Sequence, residues 1–183
     1  ELKDLHRRTG KTFVYITHSL EEAMVMSDRI AIMRDGRLEQ VGDAEGIYVR
    51  PVSRFVAEFM GEVNMFPMRG MADGGLRSEG VAVEVGEGVA ASGLTLPPEE
   101  SGTVIVRPEF VRFLDAAEGN DFVVQGRLLE EYALGSRLQY AVEVEGGARL
   151  TVEKLRENRY RGEVGDTVRL GWDVEHTHLI PEA

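Results

Sequence analysis

Apolar and polar positions change rhythm near residue 60 of the chain. Before that point, helix and strand periods alternate. Leu2, Leu5 and His6 fall at helical spacing, and Gly10 stands where a left-handed residue would close the helix. Phe13, Val14, Tyr15 and Ile16 form an unbroken run of β formers. That pattern predicts a strand covered on both faces, as in a parallel sheet. Thr17 and His18 lie at its end. Ser19-Leu20-Glu21-Glu22 reads as a capping box, in which the Ser19 hydroxyl and the Glu22 carboxylate each satisfy a free amide. Ala23, Met24 and Met26 continue that helix. A strand is predicted over 29–33, a tight turn at Asp35-Gly36 and a returning strand over 37–41. Asp43 caps a short helix through Tyr48, which Pro51 stops. Residues 54–60 read as one further helix, closed by Gly61.

Beyond residue 63 the period is two. Leu138, Tyr140, Val142 and Val144 alternate with Arg137, Gln139, Glu143 and Glu145. Gly146-Gly147 turns the chain, and Leu150 and Val152 then alternate with Arg149, Thr151 and Glu153. Val168, Leu170 and Trp172 do the same against Thr167 and Arg169. Earlier strands are predicted over 65–71, 81–85 and 103–107, with connections over 72–80 and 87–101. Half-buried strands at close spacing with glycine turns make a small barrel or sandwich. Leu138, Tyr140, Val142, Val168, Leu170 and Trp172 are its expected core, and Trp172 is read as core rather than as a stacking platform for ligand.

Composition narrows the function classes. The 183 residues suffice for one domain or two small ones. A net charge of −11 argues against nucleic acid and against anionic lipid as partners, because both need clustered Lys and Arg. With no cysteine there is neither disulfide nor thiolate metal site. No apolar run approaches the roughly 18 residues that span a bilayer, so direct membrane insertion is not expected, and nothing resembles a signal peptide. The chain opens at Glu1 inside a helix-like pattern, which reads as a piece of a longer protein.

Three chemical look-alikes are set aside. Thr9-Gly10-Lys11-Thr12 imitates the end of a phosphate loop, but Leu5 stands where the first glycine is needed and a β-rich run follows in place of a helix. Asp28 and Arg29 read as a helix exit and a strand entry. Glu21 and Glu22 read as acids that complement a helix N-terminus.

The informative stretch is Thr12-Phe13-Val14-Tyr15-Ile16-Thr17-His18-Ser19-Leu20-Glu21-Glu22-Ala23. It continues through Ser27-Asp28-Arg29, Asp35-Gly36-Arg37, Glu39-Gln40-Val41-Gly42, Arg50-Pro51 and Phe55-Val56-Ala57-Glu58-Phe59-Met60-Gly61. These residues resemble the end of the ATP-binding subunit of ABC importers, in the polyamine, iron, sulfate and sugar branch. The resemblance implies that His18 is the switch histidine, the catalytic candidate of this chain. An imidazole at a strand end can donate to the γ-phosphate and help orient the attacking water. Family members often carry aspartate after this histidine; Ser19 here caps a helix equally well. The phosphate loop, the Leu-Ser-Gly-Gly-Gln signature and the Asp-Glu strand end that holds magnesium do not occur in the sequence.

Val104-Ile105-Val106-Arg107-Pro108-Glu109, Tyr132-Ala133-Leu134-Gly135-Ser136, Gly165-Asp166-Thr167-Val168 and Trp172-Asp173 resemble the transport-associated OB-like (TOBE) domain that follows the ATPase domain in this branch. Taken together, the expected fold class is α+β. Residues 1–62 are read as the C-terminal remnant of an α/β nucleotide-binding domain, and 63–183 as an all-β OB-like barrel. The family implies ATP and magnesium as cofactors of the whole subunit, a second copy and permease subunits as partners, and a peripheral place on the inner face of the cytoplasmic membrane. The chain alone is expected to be inactive as an ATPase and to bind neither cofactor. The rival reading is a stand-alone regulatory or ligand-binding OB-like module without ATPase activity.

Overall fold

The computed structural model describes residues 2–182; Glu1 and Ala183, the outer ends of the two expected domains, lie outside the described residues. The described chain is mostly β with few and short helices. It separates into two compact units, residues 1–60 and 61–183.

In the first unit α1 covers Leu2–Thr9. Gly10 follows at φ 61° and donates its amide to the His6 carbonyl at 3.0 Å, which is the expected left-handed cap. Next come α2 (Leu20–Met26), β1 (Ile30–Arg34), β2 (Arg37–Gly42), α3 (Ala44–Val49) and α4 (Arg54–Phe59). Asp35 and Gly36 both take positive φ, 50° and 76°, so the turn twists with its strands. Asp43 accepts from the Gly46 amide at 2.7 Å and Ser53 from the Val56 amide at 3.3 Å, each opening a short helix. Ile30, Ile32, Ile47, Val56 and Met60 form the core of the unit, with Leu20, Ala23, Met24 and Phe55 packed against it.

The run 13–16 corrects the sequence reading. It enters no ladder, and Val14 and Ile16 stand 87% and 92% exposed. Propensity supplies a chain that fits a sheet but not the neighbouring strand that makes one. Among the described residues of this unit the single sheet is β1–β2, and 13–16 does not pair with it.

The second unit carries ten strands among its described residues. They are β3 (Asn64–Gly70), β4 (Leu76–Ser78), β5 (Val83–Val85), β6 (Ser101–Val106), β7 (Arg112–Leu114), β8 (Phe122–Leu134), β9 (Arg137–Val144), β10 (Arg149–Leu155), β11 (Thr167–Trp172) and β12 (Thr177–Pro181). A short helix, α5, spans Gly88–Ala91. All pairings are antiparallel. One sheet runs β10-β9-β8-β11-β7, with β5 also on β8; the other runs β12-β6-β3-β4. Both line one core, in which Phe66, Met68, Val104 and Val106 meet Phe122, Leu138, Tyr140, Val142, Val168 and Leu170.

Trp172 is fully buried within that core. Its ring stacks between Phe66 at 4.9 Å and Phe122 at 5.3 Å, planes 17° and 5° apart, so a three-ring pile joins the two sheets. Asn64 joins them a second time. Its Nδ2 donates to the Thr151 carbonyl and its Oδ1 accepts from the Thr151 amide, both at 2.8 Å. One side chain thus satisfies both backbone groups of a residue on the outermost strand, β10.

The expected strands over 103–107, 65–71 and the alternating runs near 138–152 and 167–172 appear within a residue or two. β4 and α5 fall inside segments expected to be connections, and the strand expected over 81–85 shortens to three residues.

Candidate functional site

His18 is exposed in the loop between 13–16 and α2. Its two neighbours are held in place. Ser19, with extended backbone, caps α2 by accepting from the Glu22 amide at 3.3 Å. That half of the capping box forms. The other half does not: the Ser19 amide donates to Thr17 Oγ1 at 3.0 Å, not to Glu22. The freed Glu22 carboxylate turns back to the preceding segment, where Oε2 accepts from the Tyr15 hydroxyl at 2.7 Å and the Thr17 hydroxyl at 2.9 Å. The Tyr15 hydroxyl, and after it that of Thr17, holds the Glu22 carboxyl below its ordinary range; the charge of nearby His18 acts in the same direction. Conversely, donation to Glu22 raises the Tyr15 phenol.

Chemically, the loop presents one exposed imidazole, able to donate a hydrogen bond or pass a proton, on a short ordered turn. Glu22 is the nearby acid, engaged by Tyr15 and Thr17, and no phosphate-binding loop lies in the sequence. The Ser19 cap expected from the sequence forms, but the clasp was missed, because Tyr15 and Thr17 meet Glu22 only once the chain reverses at His18. No periodicity reports that reversal.

In the second unit, Arg107 is buried, 3% exposed, and donates to the Gly61 and Glu62 carbonyls, both at 3.1 Å. It therefore pins the first residues of the unit to the end of β6. Arg69 lies between Glu79 (2.6 Å) and Glu99 (3.2 Å), and the hydrogen bond to Glu79 leads in raising its guanidinium further. Burial, with Arg112 adding repulsion, pushes the Lys154 ammonium down. Asp173, Glu175 and His176 bring possible ligand atoms within 4.8 Å of one another. They do not fit a cation site: Arg112 holds both Asp173 oxygens at 3.1 and 3.2 Å, and His176 stacks on Phe110 at 4.1 Å. Two shallow hollows, about 310 and 420 Å³, are open and lined by no buried charge. No helix among the described residues is long and apolar enough to cross a membrane.

Comparison with known proteins bears on both units. The TOBE domain family matches residues 104–180. A spermidine/putrescine import ATP-binding protein of Rubrobacter xylanophilus is 36% identical over 185 residues, covering 98% of this chain and 48% of that protein. One from Pseudomonas aeruginosa is 38% identical over 187 residues, with 98% and 51% covered. One from Thermobifida fusca is 36% identical over 188 residues, with 99% and 48% covered. The chain spans about half the length of the curated relatives it matches. Among solved structures, the cytoplasmic molybdate-binding protein ModG aligns with 64% of this chain and 96% of its own at 13% identity, with a TM-score of 0.47, too distant to carry an argument.

Proposed function

Since the chain belongs with the ATP-binding subunits of ABC importers, as a C-terminal part that carries their TOBE domain, we propose that it works within a subunit coupling ATP hydrolysis to solute uptake. Residues 1–62 are the C-terminal remnant of the nucleotide-binding domain, and 63–183 form the TOBE domain with its OB-like barrel. The relatives are named for spermidine and putrescine import, and a polyamine is the solute proposed here.

His18 is the catalytic residue of this reading. Its imidazole donates to the γ-phosphate and steadies the attacking water. The developing charge on the transferring group makes that contact stronger in the transition state than in the ground state. The observation that carries the reading is an exposed His18 between hydrogen-bonded Thr17 and Ser19, inside a chain that matches its relatives over almost its whole length. ATP and magnesium belong to the whole subunit. The residues of this chain do not fit the metal: no Asp-Glu strand end occurs in the sequence, and Asp173 is engaged by Arg112. Partners are a second copy of the subunit and the permease subunits, with the assembly on the inner face of the membrane.

Uptake of radiolabelled spermidine tests the reading in cells lacking the subunit. The complete wild-type subunit restores uptake and its His18→Ala variant does not. Equal restoration by both would refute the role given to His18, and restoration by neither would refute the choice of solute.

A further inference from the structure

His18 stands exposed at the turn, and the residues on either side of it are tied to the same partner. Thr17 reaches the Glu22 carboxylate through its hydroxyl, and Ser19 accepts the Glu22 amide on its Oγ. Tyr15 adds a second bond to that carboxylate from further back along the segment. An internal link closes the ring, since the Ser19 amide donates to Thr17 Oγ1. The Thr17 hydroxyl, just before His18, thereby accepts from Ser19 and donates to Glu22, both of which follow His18.

We propose that Glu22 is a positioning residue for His18: by binding Tyr15 and Thr17 through its carboxylate and Ser19 through its amide, it fixes the direction in which the imidazole leaves the loop. The proposal deepens the reading of His18 given above and rests on it. A charged acceptor makes shorter and stronger hydrogen bonds than a neutral one, so one carboxylate can organise two hydroxyls on an exposed segment. The simpler account, an acid placed to complement the α2 N-terminus, applies equally to Glu21. That residue lies on the same first turn, and the bonds that reach back to Tyr15 and Thr17 come from Glu22. The two glutamates therefore separate helix charge from clasp.

Two measurements test the clasp. In the complete ATP-binding subunit, Glu22→Ala lowers kcat roughly tenfold to a hundredfold, the scale of a misplaced reacting group. The KM for ATP moves less than about threefold, because ground-state contacts elsewhere are unchanged. Glu22→Gln, which keeps an acceptor oxygen, recovers part of the loss, and Glu21→Gln leaves kcat at the wild-type value. In the His18→Ala background, Glu22→Ala has no further effect. In the 183-residue chain, the Tyr15 phenol, identified by its loss in Tyr15→Phe, titrates at lower pH in Glu22→Ala than in wild type.

Full turnover in Glu22→Ala while His18→Ala is inactive overturns the positioning role alone. A Tyr15 titration that Glu22→Ala does not move, or an added loss in the His18→Ala background, does the same. Full turnover in His18→Ala instead removes the catalytic reading on which the proposal stands.

Discussion

Asn64→Asp changes one nitrogen to oxygen at the seam between the two sheets, and its consequence depends on pH. Asn64 is 5% exposed and makes a matched pair of 2.8 Å bonds, donating to the Thr151 carbonyl and accepting from the Thr151 amide. The protonated carboxyl of the variant reproduces both bonds. Once ionised, it keeps only the bond from the amide and sets a charged oxygen against the Thr151 carbonyl. The folded state therefore favours the neutral acid and raises its pKa above the ordinary value of about 3.9. The sign follows. Below about pH 4 the carboxyl is protonated in the folded and the unfolded chain alike, and the variant is close to wild type; stability is then lost as pH rises through the elevated folded pKa. The loss is on the scale of an orphaned buried bond plus repulsion, about 2–3 kcal/mol. Asn64→Ala loses two bonds worth about 1 kcal/mol each, with no such pH dependence. Urea melts from about pH 3.5 to pH 7, followed by the fluorescence of the single, buried Trp172, give the difference curve against wild type. A flat Asn64→Asp difference, or one under about 0.5 kcal/mol at neutral pH, would refute the seam.

Trp172→Ala removes the middle ring of the Phe66–Trp172–Phe122 stack and should cost about 3–5 kcal/mol in denaturant melts read by circular dichroism; a loss under about 1 kcal/mol contradicts its place in the core. The 183-residue chain should self-associate through 13–16, because burying Val14 and Ile16 is worth about 1.5–3 kcal/mol each. Light scattering should find Val14→Asp with Ile16→Asp less associated than wild type, and a wild-type chain that is already monomeric would defeat this expectation.

The second unit was legible wherever one strand face is buried and the other wet. Leu138, Tyr140, Val142, Leu150, Val152, Val168 and Leu170 all point inward as their alternation requires. β8 was harder to read. Phe122, Val123 and Val124 are consecutive and all buried, so that end of the strand shows no alternation, and a bulge near Leu128 breaks the period later. β4 and β5 are too short to show any period. In the first unit, caps at Ser19 and Asp43 were readable because each is a local bond over three residues, whereas the Ser53 cap of the same kind was not read. The run 13–16 was misread because strand formation depends on a partner that local sequence does not specify. The same limit hid the Glu22 clasp, which joins residues five and seven apart across a reversal.

ATP turnover and ATP affinity, measured together on the complete subunit and its His18→Ala variant, test the central claim most directly. The account predicts turnover lower by about a hundredfold or more, the worth of one lost catalytic contact, with affinity changed by less than about tenfold, or roughly 1.4 kcal/mol. Turnover near wild type, or a loss of affinity large enough to explain the loss of turnover, would contradict it.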